Sequence, residues 1–167
     1  TRILDAELLS MQHRGVGLKG DEQADFNRTS ERLAALSTSF SNHVLDATQA
    51  WSLVIHEREQ LRGVPDRALE ILASAAAEAG DQAADGAPPT ASEGPWRLGL
   101  DMPRYIPVIT HAKDRKLRET LYKAHVSRAS SGDLDNAPLI EEILQLRREQ
   151  ATRLGYASWA DLSLASK

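Results

Sequence analysis

The stretch from Phe26 to Ile55, FNRTSERLAALSTSFSNHVLDATQAWSLVI, constrains the fold more than any other part of the chain. Phe26, Leu33, Phe40 and Ala47 recur every seven residues; Leu36 follows Leu33 by three, and Val44 and Trp51 follow Phe40 and Ala47 by four. At helical period these side chains form one apolar stripe, so the segment reads as a long amphipathic helix of an α-rich core. Asp21, Glu22 and Asp25 suit its start, where the helix dipole favours negative charge and Asp21 can cap free N–H groups. Ser30, Ser37, Ser39 and Ser41 are small enough to let another helix approach closely.

Beyond the helix the period changes. Trp51, Leu53 and Ile55 alternate with Ser52, Val54 and His56; Trp96, Leu98 and Leu100 alternate with Arg97, Gly99 and Asp101. Two short strands are expected, paired antiparallel. The fold class is therefore mainly α: an antiparallel helical bundle with one long helix at about 21–50 and a small two-stranded β-ribbon joining about 51–56 to 96–101. Further helices are expected at 2–13, with Ile3, Leu4, Leu8 and Met11 on one face; at 66–79, with Pro65 in the first turn; and at 115–130, capped by Asp114. A short or irregular helix fits 103–109. Another begins at Asp135 or Asn136, with Ile140, Ile143, Leu144, Arg147, Ala151 and Leu154 on its inner face. Ser158 and Asp161 have capping-box spacing.

Residues 80–95, GDQAADGAPPTASEGP, lack large apolar side chains and hold several Gly and Pro, so a flexible low-complexity loop is expected. The remainder, 1–167, reads as a single helical domain or subdomain. A helical pattern at Ile3 without a clear cap, and a new helix starting near Lys167, point to a fragment of something longer.

Composition narrows the function classes. A net charge of −4 exerts no general pull on nucleic acid or anionic membrane, and neither is expected as a partner. The chain has no cysteine, hence no disulfide framework or thiolate chemistry. No apolar run reaches membrane-spanning length, and no signal peptide is recognised; a soluble intracellular protein is expected. Asn27-Arg28-Thr29 matches a glycosylation acceptor but falls inside the long helix and reads as chance.

The most tempting catalytic string is His56-Glu57-Arg58-Glu59-Gln60. It falls one residue short of His-Glu-x-x-His, in which two histidines on one helix face bind zinc and the Glu activates a metal-bound water. Gln60 is a poor zinc ligand, and the string sits at a strand end before a turn, so it reads as a charged solvated turn. His13, His43, His56, His111 and His125 contain no pair three or four apart. Gly15-Val16-Gly17-Leu18-Lys19-Gly20 follows no strand and reads as a helix connection, not a phosphate loop. Ser10, Ser92, Ser130 and Ser131 lie in no nucleophile pattern. Lys113, Arg115, Lys116, Arg118, Lys123 and Arg128 make a basic run without the aromatic platform of a base-stacking site, and read as a solvated helix face. No catalytic, cofactor-binding or metal residue is assigned.

LSTSFSNHVLDATQAW (36–51) and LDMPRYIPVITHAKDRKLRETLYKAHVSRASSGDLDNAPLIEEILQLRREQATRLGYASWADLSLASK (100–167) resemble the thimet oligopeptidase family of zinc metallopeptidases, peptidase family M3, and most of all its oligopeptidase A-like branch. The resemblance spans nearly the whole chain and weakens around 73–94, which looks like an insertion. It implies a longer, almost wholly helical parent whose two halves flank a channel admitting short peptides. In that family the zinc ligands and catalytic Glu come from a His-Glu-x-x-His string and a Glu on the following helix, in the second half. This chain resembles the part before them, so the resemblance implies no site residue here, no zinc bound by this chain, and no activity for the piece alone. It implies channel wall and support as the role, the remaining catalytic half as partner, and a chloroplast, mitochondrion or cytoplasm as location. The alternative is a truncated paralogue acting as a protein-binding or scaffold module in an organellar assembly.

Overall fold

The computed structural model describes residues 2–167. Among these residues run seven α-helices and two strands: α1 (Arg2–His13), α2 (Asp21–Ala50), β1 (Ser52–Ile55), α3 (Asp66–Glu78), β2 (Trp96–Gly99), α4 (Met102–His111), α5 (Arg115–Val126), α6 (Ala137–Arg153) and α7 (Trp159–Leu164). The mainly-α expectation holds, and the long helix and the ribbon lie where the periodicity places them. The chain divides into two compact units: residues up to Asn42 with Asp135–Lys167, and His43–Leu134.

The second unit is built around the ribbon. Ser52 pairs with Gly99, Leu53 with Leu98, Val54 with Arg97 and Ile55 with Trp96, antiparallel. The alternation of β1 and β2 turns Ile55, Trp96 and Leu98 inward. They join Leu61, Leu69, Leu72, Leu100, Tyr105, Val108, Leu117 and Leu121 in one hydrophobic cluster. Trp96, the largest of these side chains, is 1% exposed. Helix α3 buries Ala68, Leu69, Leu72, Ala73 and Ala76 on one face. Pro65 sits at its N-cap with φ −61° and ψ 145°, one position before the expected first turn.

Helix α4 is a regular helix and longer than the irregular one expected. Pro103 lies in the first turn, where a missing N–H costs nothing, and the Asp101 side chain accepts from Arg104 N. Pro107 removes only one interior bond. Asp114 caps α5 by accepting from Lys116 N and Leu117 N. The helix ends at Val126, short of the expected 130: the following turn carries Ala129 into a left-handed conformation, φ 51°. Gly63 has φ +95°, and a Cβ there would lie 2.4 Å from the His111 carbonyl oxygen, so that turn requires glycine.

The first unit is held differently. Gln150 Nε2 donates to Ser30 Oγ at 2.9 Å, Arg32 binds Glu142 through two bonds of 2.6 and 2.7 Å, and Asn136 Nδ2 donates to the Phe40 carbonyl at 3.1 Å. As the α2 number rises its α6 partner's falls, so α2 and α6 run antiparallel. Phe26, Thr29 and Leu36 are the buried residues of α2, and Ile143, Gln150 and Ala151 those of α6. Phe26 fills the space against Gly15, whose missing Cβ would fall 2.7 Å from the ring. One expectation needs correction. Ile140 and Leu144, placed on the inner face of α6, are 44% and 60% exposed. In α1 the face of Ile3, Leu4, Leu8 and Met11 is also open, with Ile3 81% exposed. Periodicity identifies which residues share a face; whether a neighbour covers that face is a separate matter.

Candidate functional site

A cavity of about 730 Å³ lies in the second unit and is open to solvent. Trp51 and Ile71 give it apolar wall, Glu70 and Glu78 line it from the exposed face of α3, and Arg97 and Arg104 face it from β2 and α4. Strand alternation puts Arg97 on the face opposite Trp96 and Leu98. Its guanidinium holds the Asp81 carboxylate with two bonds, Nε to Oδ2 at 2.8 Å and Nη2 to Oδ1 at 2.7 Å, while Nη1 donates to Ser52 Oγ at 2.6 Å. Bidentate geometry of this kind is the strong form of an ion pair. The hydrogen bond to Arg97 holds the Asp81 carboxyl below its usual range, and the same bond raises Arg97. Arg104 is tied to Asp101, the cap of its own helix, and its guanidinium lies against Gly99, where a Cβ would fall 2.4 Å from it.

Both guanidinium groups are thus committed to carboxylates of this chain. The lining contains no histidine or cysteine, so it offers neither an imidazole base nor a thiolate. Its geometry suits holding the ribbon to α3 and α4 and presenting a mixed-charge surface, with Glu70 and Glu78 as the outward carboxylates.

The histidines are dispersed. His13 Nε2 lies 2.8 Å from the Tyr156 hydroxyl, ring edge to ring face. His125 stacks on Tyr105 with ring centroids 4.1 Å apart; burial, then the nearby Arg128 charge, pushes its pKa down, and its Nε2 is buried without a hydrogen-bond partner among the described residues. His56 and His111 are exposed. The His56–Gln60 string leaves β1 as extended chain and enters a short 3₁₀ turn, Arg58–Leu61, so the i, i+4 face that zinc needs is not formed. Arg58 instead lies over the Trp96 ring, 5.8 Å from its centroid. Among the described residues no group of three or more His, Cys, Asp or Glu is placed to hold a metal ion. The basic run is divided by its own contacts: Lys123 pairs with Glu119 at 2.6 Å, Arg118 donates to the Ala112 carbonyl, and Arg128 donates to the His125 carbonyl and to Thr48 Oγ1. Gly15–Gly20 connects α1 to α2, as its composition implies. The Arg97–Asp81 pair escaped the sequence reading because its partner lies in the low-complexity segment, sixteen residues away.

The model of peptidase family M3 matches residues 108–167. Over 166 residues, 99% of this chain, the sequence is 43% identical to a probable cytosolic oligopeptidase A of Arabidopsis thaliana and 42% identical to an organellar (chloroplastic/mitochondrial) oligopeptidase A of the same plant. It is 39% identical over 171 residues to oligopeptidase A of Salmonella typhimurium. The chain is thus similar to peptidase family M3, whose model it matches in its C-terminal third. It spans only a fraction of these oligopeptidase A relatives: 23%, 20% and 23% of their respective lengths. M3 is a zinc metallopeptidase family, but the residues present here do not fit the metal: no His-Glu-x-x-His string occurs, and the near match at His56 has the wrong fifth residue and the wrong backbone. Among the described residues no helix is long and apolar enough to cross a membrane.

Proposed function

We propose that this chain is the non-catalytic helical portion of an oligopeptidase A-like zinc metalloendopeptidase that degrades short peptides, forming wall and support of its channel. One observation carries the reading: identity of 39–43% runs across 99% of the chain yet over only 20–23% of the relatives, with no zinc string inside it. Zinc, its ligands and the general base then lie on the part outside these residues, and that part is the partner. The cavity beside Trp51 and Arg97 supports a structural role, since its cations are already paired. Relatives named for the cytosol and for organelles support either compartment. The other reading is a stand-alone binding or scaffold module, favoured by the open apolar face of α1.

The intact mass of the natural protein, isolated from its source, separates the two. A mass several times 18.3 kDa, with chelator-sensitive cleavage of short peptides, supports the peptidase portion. A mass near that of this chain, without cleavage, supports the module and overturns the first reading.

A further inference from the structure

Resting on the peptidase-portion reading, we propose that the groove between α2 and α6 is the seat of a helix from the same polypeptide, outside these 167 residues. The groove, about 280 Å³, is lined chiefly by Ser37, Phe40 and Ser41 of α2 and by Ile140, Leu144 and Arg147 of α6. Three features define its occupant. The apolar side chains Ile140 and Leu144 project outward from α6 and remain largely exposed, so the occupant must bring an apolar stripe. Ser37 and Ser41 stand one turn apart, and each hydroxyl donates to a carbonyl of its own helix, Leu33 at 2.8 Å and Ser37 at 2.9 Å. Their polar hydrogens ask nothing of a neighbour, and their small size lets a helix backbone come close. Arg147, over the Trp159 ring at 5.3 Å, sets a positive charge at the groove, which favours an acidic residue or the C-terminus of the occupant helix there.

The length of the relatives argues that the occupant belongs to the same chain. This chain matches at most 23% of them, leaving ample polypeptide to supply a helix. The first unit also gains from one: it buries few apolar side chains, Phe26, Leu36, Ile143, Ala151 and Leu162, and leaves Ile140 and Leu144 open.

The test uses the natural protein with a benzophenone amino acid in place of Leu144, and a control with the same group in place of the exposed Ser92. Irradiation followed by peptide mapping is expected to join position 144 to a peptide outside these 167 residues, and position 92 to none. A crosslink from 144 into residues 1–167, of the same or a second copy, or no crosslink at all, overturns the assignment. Leu144→Asp supplies an independent readout. It is expected to lower the unfolding midpoint of the natural protein by several degrees while leaving that of the 167-residue chain in place; equal shifts in both overturn the proposal. Mass separates the two levels of failure. A natural protein near 18.3 kDa removes the peptidase-portion reading and the occupant together, whereas a heavier protein without the crosslink removes only the docking assignment.

Discussion

The two units solve the burial problem in different ways. The second unit closes a core of its own: Trp96, Leu98, Leu69, Leu72, Val108 and Leu121 are almost fully removed from water and in one cluster. The first unit buries fewer apolar side chains, Phe26, Leu36, Ile143, Ala151 and Leu162, ties α2 to α6 through Ser30–Gln150, Arg32–Glu142 and Phe40–Asn136, and leaves Ile3, Leu8, Ile140 and Leu144 in solvent. Hydrophobic burial scales with apolar area removed from water, whereas a solvent-exposed ion pair contributes little. The second unit therefore carries most of the stability that these residues can supply alone, and the first is the part that gains most from a neighbour.

That contrast is open to attack by mutation, most severely in the core. Trp96→Ala should destabilise the chain by about 3–5 kcal/mol in urea unfolding, since it removes the largest buried side chain and leaves a cavity. The matched truncation in the first unit, Leu144→Ala, should change the 167-residue chain by less than about 0.5 kcal/mol. A similar cost at both positions would erase the distinction between the units.

Gly63→Ala should cost about 1–3 kcal/mol, because the left-handed backbone and the His111 carbonyl both oppose a Cβ. Calorimetry showing no loss would mean that this turn can shift, and that the second unit is looser than its packing implies.

Next in size is the Arg97–Asp81 pair. Asp81→Asn should cost about 1–2 kcal/mol, as expected for a charge-assisted, partly buried contact. Because the folded pKa of Asp81 lies below the ordinary 3.8, the pair's contribution is present above that value and lost as pH falls below it. The variant should therefore flatten the acid limb of the stability curve; an unchanged limb would show that the pair is idle.

His125 works in the opposite pH range. Burial lowers its folded pKa below the ordinary 6.5, so as pH falls through that value the unfolded chain takes up the proton first and stability drops. Thermal melts between pH 7 and 5 should show this slope in the wild type and a weaker one in His125→Phe. The smallest effect is expected in the first unit: Glu142→Gln should leave the midpoint unchanged in high salt, where the exposed Arg32–Glu142 pair is screened.

The sequence was most legible where local signals agreed. An acidic start, a sustained period and a change to alternation at Trp51 bounded α2, and the same alternation marked the two strands of the ribbon. The caps at Asp114 and Ser158 were readable because side chain and backbone partners lie within three residues. What escaped was non-local. Nothing near Leu144 or Ile140 in the sequence says that no neighbour covers them, and no pattern links Asp81 to Arg97 across a Gly- and Pro-rich segment. The cavity beside Trp51 was invisible for the same reason, being assembled from α2, α3, the ribbon and α4.

Amide hydrogen exchange, run in parallel on the 167-residue chain and on the natural protein, tests the contrast most directly. The account predicts that in the 167-residue chain the amides of α3 and α5 exchange far more slowly than those of α1 and α6, and that α1 and α6 become slow in a longer natural protein. Equal protection of all four helices in the 167-residue chain, or no gain in α1 and α6 when the rest of the protein is present, would contradict it.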